Sequence, residues 1–244
     1  VDDRFSVSYG SGRDHVADVA LPPGGNGKAP FVILLHGGFW RAQYDRQYLV
    51  KMTDALVADG YAVANVEYRR TGDGGGWPET FDDVASALDQ LTDLIEERSP
   101  GRVDYDNAAY VGHSAGGQLG LWAAHRPGAR VAGVVALAPV ADLAESHRLV
   151  LGEAAVADLL GGGPDEVPDR YAAVDPVALG APKVPVVVVH GAEDEMVPAE
   201  ISRRYQATAG CALVVVPEAT HVDVVKPGSV AWPAVRDAIR QVLG

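Results

Sequence analysis

The chain has 244 residues, 48% of them hydrophobic, and its 20 Lys+Arg against 33 Asp+Glu leave a formal charge of −13 at pH 7. A chain of this size buries roughly 70–75% of its unfolded surface, so disorder and fibrous repeats are excluded and one domain is expected. The negative field repels phosphates and anionic membrane surfaces, which argues against nucleic acid or membrane as partner.

Cys211 is the single cysteine and has no internal disulfide partner, so a reducing, cytoplasmic location is the expectation. The opening Val1-Asp2-Asp3-Arg4 has no apolar stretch behind it, so no signal peptide is read there. No run of about 18 apolar residues occurs, so no membrane span is expected.

In chain order, two weak strands are expected at 5–9 and 16–21. From residue 31 onward, short β-branched runs alternate with helical stretches, the rhythm of a mostly parallel sheet of about eight strands with helices on both faces. The strands are 31–35, 61–65, 108–111, 131–137, 186–189 and 213–216, each nearly apolar on both faces as central parallel strands are. Between them, 45–58 carries Tyr48, Leu49, Met52, Leu56 and Val57 at helical spacing and ends at Gly60. Helices 80–97 (Val84, Leu88, Leu91, Ile95), 115–125, 202–208 and 234–243 follow. Two segments break the rhythm. Residues 71–78, glycine-rich and ending Trp77-Pro78, read as a flexible surface loop, and 141–183 as a small lid-like insertion with a short helix near 153–160. Neither Gly24-Gly25 nor the glycines of 72–76 fit a phosphate-cradling motif.

Gly112-His-Ser114-Ala-Gly116 fits G-x-S-x-G, with an apolar strand running into it and a helix running out. That context is a strand–turn–helix elbow, which exposes a serine Oγ above the sheet. A serine hydroxyl is a poor nucleophile at neutral pH, so it needs a base and an acid that orients the base. Of seven histidines, His36, His113 and His190 sit at strand ends in stretches that look architectural. His125 and His147 lie in or beside helices, and His15 lies in a leader loop. His221 alone lies in the loop after the last strand, where a base can reach over the sheet edge. Asp194, in His190-Gly-Ala-Glu-Asp194-Glu-Met-Val-Pro198, is the expected acid, with Glu193 and Glu195 as alternatives. Ser114, Asp194 and His221 then follow the chain order serine, acid, histidine.

Negative charge developing on a carbonyl oxygen needs backbone N–H donors. Ala115 supplies one, and the turn His36-Gly-Gly-Phe-Trp40 supplies others, assigned to Gly38 and Phe39. The expected aromatic substrate pocket is Phe39, Trp40, Tyr44 and Trp77. Arg69 is expected to pair with Asp82 or Asp83 and anchor the sheet. No histidine pair has metal-ligand spacing, and no cofactor is expected.

Together, the 36–40 turn, Tyr68-Arg69, Gly112 to Gly117, the HG-x-x-D-x-x-VP pattern at 190–198 and the late His221 resemble the α/β-hydrolase superfamily. The resemblance covers nearly the whole chain from about Phe31. It is similar to the small carboxylesterases related to hormone-sensitive lipase. His-Gly-Gly-x-Trp resembles kynurenine formamidases, and also some bacterial feruloyl and acetyl esterases. Two departures stand out: no N-terminal helical cap precedes Phe31, and 69–77 replaces the usual continuation after Tyr-Arg. The resemblance implies a serine hydrolase acting on a small-molecule ester or activated amide through an acyl-enzyme on Ser114. Arylformamidase activity toward N-formylkynurenine is the alternative within that class, and a non-hydrolytic binding protein on the same scaffold is the alternative outside it.

Overall fold

The computed structural model describes residues 3–24 and 27–244, so Val1 and Asp2 of the opening segment and Gly25 of the first glycine pair lie outside the described residues. Its strands are β1 (Arg4–Ser8), β2 (Val16–Ala20), β3 (Ala29–Leu35), β4 (Ala62–Val66), β5 (Val103–His113), β6 (Gly133–Leu137), β7 (Val186–Gly191) and β8 (Ala212–Val216). They form one sheet in the order β1-β2-β4-β3-β5-β6-β7-β8. The β1–β2 and β2–β4 pairings are antiparallel and the remainder parallel.

Period-two alternation divides the sheet's side chains between two cores. On β3, Phe31, Ile33 and Leu35 enter one core while Val32 and Leu34 enter the other; β6 and β7 divide in the same way. Helices α1 (Val50–Ala58) and α9 (Trp232–Leu243) cover one face, burying Met52, Leu56, Val235 and Ile239. The opposite face receives α2 (Glu79–Arg98), α3 (Ala115–Ala123) and α8 (Ala199–Ala209), with Phe81, Leu91, Leu119 and Tyr205 buried.

Three expectations change. Strand β8 is the last strand in the sheet order and not a central one: it pairs on one side with β7, and among the described residues no strand pairs with its other side, in keeping with Val214 being 41% exposed. The expected flexible loop at 71–78 is pinned. Thr71 N donates to Trp40 O, Gly75 N to Arg70 O and Gly76 N to Thr80 Oγ1, and Arg41 and Thr71 form a parallel bridge. The insertion is four short helices, α4 (Leu143–Arg148), α5 (Leu151–Leu160), α6 (Pro168–Val174) and α7 (Pro176–Leu179). Their Val156, Leu159, Leu160 and Tyr171 belong to the main core, so the insertion is a packed layer and not a detached flap. Gln118 Nε2 of α3 donates to Val174 O at 2.9 Å and ties it down.

The start of α5 departs from right-handed helix: Gly152, Glu153 and Ala154 have φ of 59°, 55° and 69° with positive ψ. Left-handed geometry brings Cβ against the following carbonyl and costs roughly 1–2 kcal/mol per non-glycine residue, so other contacts must hold this turn.

Candidate active site

Ser114, Asp194, His221 and the 36–40 turn all lie just beyond the C-terminal ends of parallel strands, β5, β7, β8 and β3 respectively. Strand β5 runs into Ser114, which takes φ 54°, ψ −115°, and α3 begins at the next residue. The reversal is tight enough that only glycine fits beside it. A Cβ on Gly112 would lie 2.1 Å from Gly116 O, and one on Gly116 would lie 2.0 Å from Leu35 O. Ser114 N donates to Leu137 O at 2.8 Å, fixing the turn to β6. Among the described residues, Ser114 Oγ is buried and has no hydrogen-bond partner.

The loops after β7 and β8 are sewn together. Glu193 N donates to Ala219 O at 2.9 Å and Ala192 N to Val216 O at 2.9 Å. At Gly191 a Cβ would lie 2.3 Å from Ala219 O, so glycine there lets the later loop cross over. Thr220 N and Oγ1 both donate to Asp223 Oδ2, at 2.8 and 2.6 Å, which closes the turn presenting His221.

His221 Nδ1 donates to Asp194 Oδ2 at 2.6 Å. Asp194 Oδ1 accepts from Met196 N and Val197 N at 2.9 and 2.8 Å. Of the three adjacent carboxylates, Asp194 alone is buried; Glu193 and Glu195 face solvent. Burial by itself would raise the Asp194 pKa, but hydrogen bonds from His190, His221 and the Val197 amide hold it well below the usual carboxylate range. With Nδ1–H committed to Asp194, His221 keeps its Nε2 lone pair free to take a proton.

Two strand-end histidines read as architectural from sequence turn out to brace this pair. His190 Nε2 lies 2.8 Å from Val197 O and 3.1 Å from Asp194 Oδ2, while its Nδ1 meets Ser202 Oγ at 2.7 Å. His113 Nε2 donates to His221 O at 3.0 Å, and the two rings lie 4.6 Å apart. Burial, then the neighbouring His221, push the His113 pKa well below the histidine range, so His113 is held neutral. The i, i+4 spacing of His190 and Asp194 was the available signal for the first; nothing local marks the second.

The turn after β3 has three successive left-handed residues, Gly38, Phe39 and Trp40, with φ of 106°, 50° and 54°. Among the described residues the amides of Gly38 and Phe39 have no protein acceptor. Ala115 N, at the first position of α3, lies beyond reach of any intrahelical acceptor. Beneath the turn, Glu67 is a buried hub. It accepts from His36 Nε2 (2.9 Å), Arg46 N (2.9 Å), Tyr68 N (3.1 Å) and Arg70 Nη1 (2.7 Å). Burial would raise its pKa, yet these donors, His36 first, carry it below the ordinary glutamate value. The Tyr68 ring stacks on His36 at 4.3 Å and its hydroxyl donates to His36 O at 2.7 Å. Arg69 grips Asp83, Nε to Oδ2 at 2.8 Å and Nη2 to Oδ1 at 2.7 Å, the anchor read from the sequence.

Ser114, His113 and His221 open into a small cavity of about 220 Å³ whose other walls are Gly38, Phe39, Tyr44, Tyr48, Met196 and Val222. Tyr44, Tyr48, Met196 and Val222 are also the exposed large side chains of this region. The structure brings together only some of the aromatic residues grouped from the sequence. Phe39 and Tyr44 are in the cavity, but Trp40 is fully buried in the main core and Trp77 packs on Phe81 with ring centroids 5.4 Å apart. The reason is the left-handed pair at 39–40, which turns Trp40 away from the cavity that Phe39 lines. Tyr48, Met196 and Val222 were missed because they come from three separate loops or helix starts. Among the described residues no group of three or more His, Cys, Asp or Glu could hold a metal ion, and no helix is long and apolar enough to cross a membrane.

The sheet order and the serine elbow define an α/β-hydrolase fold, and known structures share it. A bifunctional GH43-CE protein of Bacteroides eggerthii superposes with a TM-score of 0.79 at 21% identity over 99% of this chain, which spans only 38% of that protein. A truncated carbohydrate esterase from gut microbiota gives 0.78 at 19% identity, covering 98% of this chain and 96% of that one. The Est2 esterase of Thermogutta terrifontis gives 0.72 at 17% identity, covering 99% and 91%. No curated sequence matches the chain. Residues 17–208 match the BD-FAE family, and the chain belongs to that family.

Proposed function

We propose that the protein is a serine hydrolase of small carboxylic esters, working through an acyl-enzyme on Ser114. The observation that carries this reading is the buried Asp194–His221 hydrogen bond of 2.6 Å, opening onto the same apolar cavity as a serine held at positive φ. The esterases among the structural neighbours are in keeping with it.

The substrate carbonyl enters above Ser114 with its oxygen toward the amides of Ala115, Gly38 and Phe39. Ser114 Oγ attacks the carbonyl carbon while His221 Nε2 takes the hydroxyl proton, and Asp194 stabilises the imidazolium so formed. The oxyanion is held by amides that need no reorganisation at that moment. Collapse breaks the ester C–O bond, and the departing alkoxide takes the proton from His221. Water then repeats the sequence: His221 removes its proton, the acyl carbon is attacked, and Ser114 leaves reprotonated as the carboxylic acid is released. The unmade Ser114–His221 hydrogen bond closes as substrate seats, as catalytic contacts of free enzymes commonly do.

The test is kcat/KM for p-nitrophenyl acetate and N-formylkynurenine on the wild type and on Ser114→Ala, alongside fluorophosphonate labelling. Ester turnover and Ser114 labelling that both vanish in the variant support the reading. Turnover persisting in pure Ser114→Ala overturns the assignment. A formamide preference of orders of magnitude places the enzyme among arylformamidases. A folded wild type that neither labels nor turns over is a binding protein.

A further inference from the structure

Two runs of left-handed backbone, far apart in sequence, lie against each other beside the active serine. One is Gly38-Phe39-Trp40 in the turn after β3; the other is Gly152-Glu153-Ala154 at the start of the inserted helix α5. Such stretches are disfavoured for side-chain-bearing residues and persist where surrounding contacts over-determine them. Here those contacts are specific. A Cβ on Gly152 would fall 2.6–2.9 Å from three atoms of the Phe39 ring, so the insertion's backbone is seated directly on that ring. Arg41, the residue following the first run, sends its guanidinium into the second. Nη2 donates to Gly152 O at 2.6 Å and to Glu153 O at 3.0 Å, and Nη1 donates to Glu153 Oε2 at 3.3 Å. Nη2 carries two N–H bonds, one for each of these carbonyls, and Nη1 is left for the Glu153 carboxylate, an arrangement of donors that a lysine ammonium at one point cannot reproduce. On the other flank Arg41 is fixed by its own backbone, with Arg41 N donating to Gly38 O at 3.0 Å and a bridge to Thr71.

We infer that Arg41 and Gly152 form a latch through which the inserted helices set the oxyanion turn: Arg41 is a positioning residue for the Phe39 amide, and Gly152 is the surface on which the Phe39 ring is seated. This rests on the reading of Phe39 as an oxyanion donor. Neither residue touches substrate. The latch acts by fixing the direction of an amide, so its loss diminishes stabilisation of the tetrahedral intermediate more than binding of the ester.

Arg41→Met, Arg41→Lys and Gly152→Ala test it in the full-length protein. With p-nitrophenyl acetate, Arg41→Met is expected to lower kcat by about 10²-fold, the loss a misplaced catalytic group produces, with KM within threefold. Affinity for an aryl trifluoromethyl ketone, which forms a tetrahedral adduct, should weaken in step with kcat/KM. Arg41→Lys keeps the charge but not the fork and should recover only part of the loss. Gly152→Ala, with Arg41 intact, should show the same pattern because its methyl group displaces the Phe39 ring. Hydrogen–deuterium exchange of the peptide covering 36–41 should quicken in all three, a readout independent of turnover. Wild-type exchange in that peptide overturns the latch whatever the activity, as does a kcat within threefold of wild type in Arg41→Met and Gly152→Ala with only the melting temperature lowered. A raised KM at unchanged kcat also overturns it. Failure of the hydrolase reading is seen separately, as turnover surviving in Ser114→Ala.

Discussion

His190 and His221 address the same oxygen of Asp194: His221 Nδ1 at 2.6 Å and His190 Nε2 at 3.1 Å from Oδ2. The other oxygen is filled by two backbone amides, so the carboxylate is saturated with donors and held well below its usual pKa. Its charge and its direction are therefore set before substrate arrives, and His190 shares in setting both.

Replacing His190 with Phe should expose that share. Ser202 Oγ and Val197 O lose their partner inside the core, at a cost of about 1–3 kcal/mol in stability. We expect kcat/KM to fall about tenfold, equivalent to ~1.4 kcal/mol of barrier. Asp194→Asn, which presents His221 with the wrong partner, should cost about 10³–10⁴-fold. With one donor gone, Asp194 is held less far below its ordinary pKa, so the stability it contributes, which is lost as pH falls through the acid range, should be smaller in His190→Phe. Wild-type kinetics and wild-type acid stability would reduce His190 to a packing residue.

Asp175 gives a pH signature of opposite sign. It caps α7, accepts from Ala144 N at 3.1 Å and Val177 N at 3.2 Å, and is 3% exposed. Burial, reinforced by the negative charge of Asp142, lifts its pKa to about 6 against the bonds from those amides. An acid whose folded pKa is raised holds its proton in the folded state while the unfolded chain releases it. Its contribution to stability therefore declines as pH rises from about 4 to about 6. In Asp175→Asn that decline is absent, so the variant should gain on the wild type by roughly 3 kcal/mol across the window, at about 1.4 kcal/mol per pKa unit. Urea denaturation at pH 4.5 and 7.5 captures roughly 2 kcal/mol of it, since part of the decline already lies below pH 4.5, and a constant difference between the two proteins refutes it.

The elbow glycines are a steric requirement and should behave as one. Gly116→Ala would place a methyl group 2.0 Å from Leu35 O, against backbone that belongs to the central strand. Such overpacking has no flexible neighbour to absorb it and should cost at least about 3 kcal/mol. Gly120→Ala in the same helix meets nothing closer than 3.7 Å and should be tolerated. Melting temperatures of the pair, or soluble yield where Gly116→Ala does not fold, decide whether close approach is the cause.

Much of this was legible in the chain itself, and the parts that were not share a reason. The strand rhythm, the Ser114 elbow and the order of Ser114, Asp194 and His221 are encoded locally, in apolar runs and in residues that follow them directly. The packing of Trp40 is not, because a φ of +54° at a tryptophan has no sequence signature and reverses which way the ring faces. Met196, Val222 and Tyr48 meet across loops separated by many residues, so spacing could not unite them. The left-handed turn at 152–154 falls at the start of the segment read as a short helix near 153–160, and the group that bonds its carbonyls is Arg41, more than a hundred residues earlier.

Chain-length preference is the property most directly written into the cavity. Its volume of about 220 Å³ and its walls of Phe39, Tyr44, Tyr48, Met196 and Val222 offer an acyl or alcohol group apolar contact but little depth. Each methylene that enters is worth about 0.8 kcal/mol, or roughly fourfold in kcat/KM. Across p-nitrophenyl acetate, butyrate, hexanoate and octanoate, the rate constant should rise over the first additions and fall once the cavity is full. The Tyr48 ring lies tilted against His113, centroids 5.5 Å apart, and forms one wall, so Tyr48→Ala should move the optimum to a longer chain. Because that change also frees His113, Met196→Ala serves as a second test. Met196 is 47% exposed and its removal should widen the same opening without disturbing the histidines. An optimum that stays at the wild-type length in both variants would mean the acyl chain lies elsewhere, along the solvent-exposed face beyond Val222.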